Sequence, residues 1–177
     1  MSAKLSIITI TYQAEKYLER TIQSVLAQGN RTEIEYIIID GASKDGTLGL
    51  IEQYKNQIDK FVSEPDKGIY DAMNKGLQIA TGEYVIFMNA GDCFAEINTV
   101  ETLLKTMQQS PDVIVGDALF VDETGTAIGL RSEVTPHKIP ANLTWHSFQY
   151  GMVICHQSFI VKRSIAPLFD LTFRLSS

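Results

Sequence analysis

Tyr36-Ile37-Ile38-Ile39-Asp40-Gly41-Ala42-Ser43-Lys44-Asp45-Gly46-Thr47 is the stretch on which the fold turns. Its apolar, largely β-branched opening reads as a strand covered on both faces. The run breaks at once into a carboxylate followed by glycine, serine and aspartate, residues that make tight turns and start helices. Ile51, Tyr54 and Ile58 then follow at helical spacing. The same succession recurs on either side. Upstream, Leu5 to Thr11 is a buried strand running into Tyr12 and Gln13, and Leu18, Ile22, Val25 and Leu26 share one helical face that stops at Gly29-Asn30. Downstream, Phe61-Val62 is a short strand. From Ile69 to Ala80 the residues Ile69, Ala72, Met73, Gly76 and Ala80 share one helical face, with Asp71, Asn74, Lys75 and Gln78 opposite. Tyr84 to Met88 is a fourth strand that delivers into Asn89-Ala90-Gly91-Asp92. Val100, Leu103, Leu104 and Met107 mark a further helix, and Val113-Ile114-Val115 a further strand. This alternation predicts an α/β fold with a mostly parallel central sheet and helices on both faces.

Beyond residue 115 the pattern loosens. Ala118 to Gly129 reads as a hairpin turning at Glu123-Thr124-Gly125, Pro136 to Gln149 as irregular and aromatic, and Met152 to Val161 as a strand. There is no repeat, linker or charge run, so residues 1–177 are expected to form one domain. The chain of 177 residues carries 15 Lys plus Arg against 21 Asp plus Glu, a net charge of −6. That balance argues against a nucleic-acid partner held by broad phosphate neutralisation. Two cysteines, Cys93 and Cys155, are too few for a disulfide framework or a four-cysteine zinc site. Leu5 to Ile10 is too short for a signal sequence or a membrane span. A cytoplasmic protein is expected, a location compatible with peripheral association at the inner face of the membrane. Oligomeric state is not legible.

In open α/β sheets ligands gather beyond the carboxyl ends of the strands. Three strands here deliver apolar runs into polar clusters: Thr11, Tyr12 and Gln13; Asp40 to Thr47; Asn89 to Asp92. Two roles are open to Asp40, a hydrogen bond to a base or ribose, or the capping of its own turn. Asp92, beside a glycine, suits a hard divalent ion shared with phosphates, or an Asx-turn. Lys67 and Lys75 stand where phosphate charge could be met. No Walker loop and no dinucleotide glycine fingerprint is present. Of three histidines, His137 reads as surface and His146 as packing beside Trp145 and Phe148; His156 is either a buried structural residue or a ligand to metal or phosphate.

Taken in order, Ser6 to Tyr12, Ile39 to Thr47, Asn74-Lys75-Gly76 and Asn89 to Asp92 resemble the family 2 glycosyltransferases of the GT-A fold, a Rossmann-like three-layer sandwich. The run Ser63 to Gly76 and the element Cys155-His156-Gln157-Ser158 resemble one bacterial branch. The resemblance implies an inverting transfer from a nucleotide-diphosphate sugar to a glycan or lipid-linked acceptor in cell-surface polysaccharide synthesis, with Mn2+ or Mg2+. It implies a nucleotide-binding half over 1–115 and the start of an acceptor-binding half over 116–177, its site around Trp145 to Tyr150. Thr11 and Tyr12 match the motif that holds the nucleoside, and Asp40 the carboxylate that contacts the base, which favours UDP over guanine donors. Ser43, Lys67, Asn74, Asn89, Ala90 and Gly91 complete the expected donor site. Asp92 matches the last Asp of the metal-binding motif, and His156 is expected to join it. The acidic motif is thinner than in many relatives, with Asn89 and Gly91 in earlier places. The catalytic base is expected just after Ser177, past a segment like Phe169 to Arg174, with Asp170 as the fallback. Donor binding without transfer is therefore expected of these residues. Two other readings stand beside this one: a non-catalytic nucleotide-sugar binding module, and a sugar-1-phosphate nucleotidyltransferase. Thr11-Tyr12-Gln13-Ala14-Glu15 lacks the glycine-rich basic loop of the latter.

Overall fold

The structure, a computed structural model, describes residues 3–136, 138–149 and 153–172. His137, Tyr150, Met152 and Phe173 to Ser177, on which expectations above fall, lie outside the described residues. A six-stranded sheet in the order β3-β2-β1-β4-β8-β5 forms the centre. Its strands are β1 (Leu5–Thr11), β2 (Ile34–Asp40), β3 (Lys60–Ser63), β4 (Tyr84–Phe87), β5 (Val113–Val115) and β8 (Phe159–Lys162). β1 pairs in parallel with both β2 and β4, and β2 with β3. β8 alone runs the other way, antiparallel to β4 and β5.

Both faces of β1 are covered, as its β-branched, mostly apolar run predicts. Leu5 and Ile7 pack with α1 (Leu18–Leu26), α2 (Thr47–Tyr54) and α4 (Thr99–Met107); Ile8 and Ile10 pack with α3 (Ile69–Ile79). Gly76 lets α3 lie close, since a Cβ there would stand 2.5 Å from Ile8 Cγ2. After α1 it is Asn30, at φ 60°, that takes the left-handed turn. β6 (Leu119–Val121) and β7 (Ala127–Leu130) form a separate hairpin, followed by one helical turn, α5 (Arg131–Val134).

The strand expected over 152–161 is shorter. Residues 156–158 wind into a 3-10 turn, because the Cys155 carbonyl accepts both the Ser158 hydroxyl, at 2.9 Å, and its N–H, at 3.1 Å. Asn74, expected on the outer face of α3, is buried. Its amide clamps the backbone of Phe169, accepting that N–H at 2.7 Å and donating to that carbonyl at 2.9 Å. Tyr70 stacks on the Phe169 ring at 5.3 Å.

A buried charge braces the amino-terminal end of the sheet. Glu35 meets the Lys60 ammonium at 2.7 Å and accepts hydrogen bonds from Ser6 and from the Thr81 hydroxyl and N–H. Burial alone would raise its pKa; Lys60 and these donors outweigh burial and hold it at about 2, against an ordinary 4.5. A depressed carboxylate pKa contributes stability that is whole above the unfolded value and vanishes as pH falls through the folded one. Urea melts between pH 5 and 2 should therefore lose about 3 kcal/mol more in the native chain than in Glu35→Gln.

Candidate functional site

Strand order reverses between β1 and β4: β2 and β3 lie to one side of β1, β4 to the other. Backbones part at such a point, and a cleft of about 480 Å³ opens there, lined by Ile10, Thr11, Tyr12, Gln13, Ala14, Tyr17, Asp66, Gly68, Ile69, Asn89 and Ala90. Thr11 Oγ1 and Asn89 Oδ1 are buried with no hydrogen-bond partner among the described residues. An orphaned buried acceptor or donor costs about 1–3 kcal/mol. A polar ligand in the cleft would remove that cost. A second hollow of about 520 Å³ opens at the far end of the sheet, but its Arg31 is already spent on Asp59, at 2.6 Å, and on two carbonyls.

The loop after β2 forms one wall support. Asp40 is fully buried, and its carboxylate accepts from Ser43 N–H at 2.9 Å, Ser43 Oγ at 2.5 Å and Ser63 Oγ at 2.6 Å. These bonds hold the turn after β2, while α2 starts at Thr47 with no side-chain cap. Ser43 relays the constraint, accepting the Gln13 N–H at 2.8 Å, while Thr47 Oγ1 accepts that of Ala14 at 2.9 Å. The loops after β1 and β2 are thus zipped together, with Gln13 at φ 48° and Ala42 at φ 62°. Only glycine takes that region freely. Ala42→Gly should stabilise the chain by about 0.5–1 kcal/mol in urea unfolding. Gly41 is needed for a different reason: a Cβ there would stand 2.6 Å from Asp66 Oδ2 and 3.1 Å from Tyr12 Cδ2.

The loop after β4 forms the other wall. Gly91, at φ 106°, gives its N–H to Thr21 Oγ1 at 2.8 Å, and Phe94 gives its own to Ser24 Oγ at 2.8 Å, so the loop rests on α1. Asp92 Oδ2 accepts from Gln157 Nε2 at 3.0 Å. Asn89 Nδ2 and His156 Nε2 stand 3.4 Å apart. Burial pushes the His156 pKa down, against the pull of Asp92, so the imidazole stays neutral with a lone pair to offer. No group of three His, Cys, Asp or Glu able to hold a metal exists among the described residues. The donor set on these neighbouring loops is a carboxylate, an imidazole and the Asn89 amide. It fits a divalent ion whose remaining positions are filled by ligand phosphates, not a closed protein cage.

The other expected residues divide. Thr11, Tyr12, Asn89 and Ala90 line the cleft; Gly91 and Asp92 adjoin it. Ser43 is buried behind the wall, and Asn74 is committed to Phe169 and absent from the lining. Lys67 is exposed beside Asp66 and Gly68, its N–H on Asp71. Lys75 is tied to the Pro65 carbonyl at 2.8 Å and to Glu64 at 3.0 Å. Asp170 is exposed and accepts from the N–H and hydroxyl of Thr172, which hold its pKa below the usual carboxylate value. A general base needs the opposite shift. Sequence reasoning missed Asp66 and Tyr17. Asp66 follows a strand end as Asp40 and Asp92 do, and the same rule applied to short β3 finds it.

The family model described as Glycosyl transferase family 2 matches residues 6–167. Uncharacterized glycosyltransferase Rv1514c of Mycobacterium tuberculosis is 36% identical over 103 residues, 58% of this chain and 39% of its own. The crystal structure of Staphylococcus aureus TarS 1-349 in complex with UDP-GlcNAc superposes with a TM-score of 0.59 at 28% identity, over 63% of this chain and 33% of that one. Mannosyltransferase PcManGT from Pyrobaculum calidifontis, in complex with GDP-Man and Mn2+, shares the fold at a TM-score of 0.57 and 24% identity, over 70% of this chain and 36% of its own. The chain thus spans about two fifths of the length of the first of these relatives, 39%.

Proposed function

Because the chain belongs to glycosyl transferase family 2, we propose that it binds a nucleotide-diphosphate sugar, with UDP as the nucleotide, in the cleft between β1 and β4. The sugar would pass with inversion to a glycan or lipid-linked acceptor of cell-surface polysaccharide synthesis. The observation that carries this reading is the pair of orphaned buried atoms, Thr11 Oγ1 and Asn89 Oδ1, in a cleft at the reversal of strand order. The TarS structure bound to UDP-GlcNAc supports the donor class.

Each residue has work that follows from its place. Tyr12, 61% exposed at the mouth, offers a ring face to a base. Asp66 offers a carboxylate to the N3–H of uracil, with Asp40 holding the adjoining loop from behind. Asp92, His156 and Asn89 Oδ1 would hold a divalent ion, which when bound offsets charge on the departing diphosphate. The acceptor hydroxyl must arrive on the sugar face away from that diphosphate. We assign its approach to the half after residue 115. No helix among the described residues is long and apolar enough to cross a membrane.

Calorimetric titration with UDP-GlcNAc, UDP-glucose and GDP-mannose, each with and without Mn2+, tests the reading. Saturable binding of a UDP sugar, tightened by Mn2+, is expected. Failure of all three donors to bind overturns it.

A further inference from the structure

One cation near the cleft stands without an ion pair among the described residues. Arg20 projects from α1 beside the β4 loop, and its Nη2 stands 3.4 Å from where a Cβ on Gly91 would lie. Its guanidinium is 5.8 Å from the centre of the Tyr17 ring, and Tyr17 lines the cleft. Among the described residues it makes no ion pair and no side-chain hydrogen bond. That leaves all its donors for a ligand.

From this placement we infer that Arg20, braced on Tyr17, is the diphosphate-binding cation of the site. The inference rests on the nucleotide-sugar reading and adds to it the residue that meets the anion. Three observations converge. The β4 loop carries a single carboxylate, Asp92, so the charge a metal can contribute there is held by few ligands. The two orphaned atoms, Thr11 Oγ1 and Asn89 Oδ1, draw a polar guest to the cleft that Tyr17, the ring under Arg20, helps to line. Arg20 Nη2 lies against Gly91, 3.4 Å from where a Cβ would be, which sets the guanidinium on the loop that also carries Asn89 and Asp92. A planar fork of N–H donors matches two phosphate oxygens at once, which an ammonium does not. The ring beneath keeps the fork from collapsing onto solvent.

The test separates anion from base. Affinities of the chain for UDP and uridine, and for GDP and guanosine, are measured by calorimetry in EDTA, for native chain, Arg20→Ala, Arg20→Lys and Tyr17→Leu. Arg20→Ala should weaken the diphosphate that the native chain binds about tenfold while leaving its nucleoside unchanged within twofold. Arg20→Lys should lie between the two, and Tyr17→Leu should lose about threefold on the diphosphate. Arg20 is exposed, so unchanged urea midpoints are expected for its variants. A diphosphate-to-nucleoside ratio that Arg20→Ala leaves unaltered overturns this assignment alone. A native chain that binds neither diphosphate overturns the nucleotide-sugar reading and this inference together.

Discussion

Asp92→Asn is expected to abolish the gain in donor affinity brought by Mn2+. The variant keeps size and shape, and its amide oxygen still accepts from Gln157 Nε2, so the loop after β4 holds its place. What goes is the one carboxylate among the donors on these neighbouring loops, leaving an imidazole and two amide oxygens. Neutral oxygens bind hard divalent ions weakly. Calorimetry with UDP-GlcNAc, with and without Mn2+, reads the effect. Metal dependence that survives the change would show that Asp92 only makes an Asx-turn.

Asp40→Ala carries the largest expected cost in stability, about 3 kcal/mol in urea unfolding. Hydrogen bonds to a charged acceptor are worth about 1.5–3 kcal/mol each, and Asp40 accepts three. Removing the carboxylate recovers its desolvation, which is why the total falls short of the sum. The Ser43 hydroxyl and N–H are left buried without that acceptor, while the Ser63 hydroxyl can turn to water. Because Ser43 passes the constraint on to Gln13, donor affinity should fall as well. A loss below about 1 kcal/mol would show that the zipped loops hold without their central charge.

The sheet was legible in the sequence because a doubly covered strand leaves a β-branched, mostly apolar run, and β1 and β2 carry that signature. The ends of the strands were legible for a related reason, since a carboxylate or amide directly after such a run has only the cleft or its own turn to serve. Which of the two it serves is decided by partners far along the chain. Asp40 turns inward because Ser63, from another strand, completes its shell; nothing within its own segment says so. Asn74 sits among polar neighbours on α3 yet is buried, because a segment 95 residues later folds over it. The reversal at β8 was hidden likewise: strand periodicity is the same in either direction, and direction is fixed by pairing with β4 and β5.

The reversed strand has a consequence for the order of assembly. Among the described strands β5 pairs only with β8, so Val113–Val115 has no strand partner until Phe159–Lys162 has been synthesised and has seated itself along β4. A nascent chain released from the ribosome before that point would present a bare edge on β4 and an unmoored β5, a state for chaperones to guard.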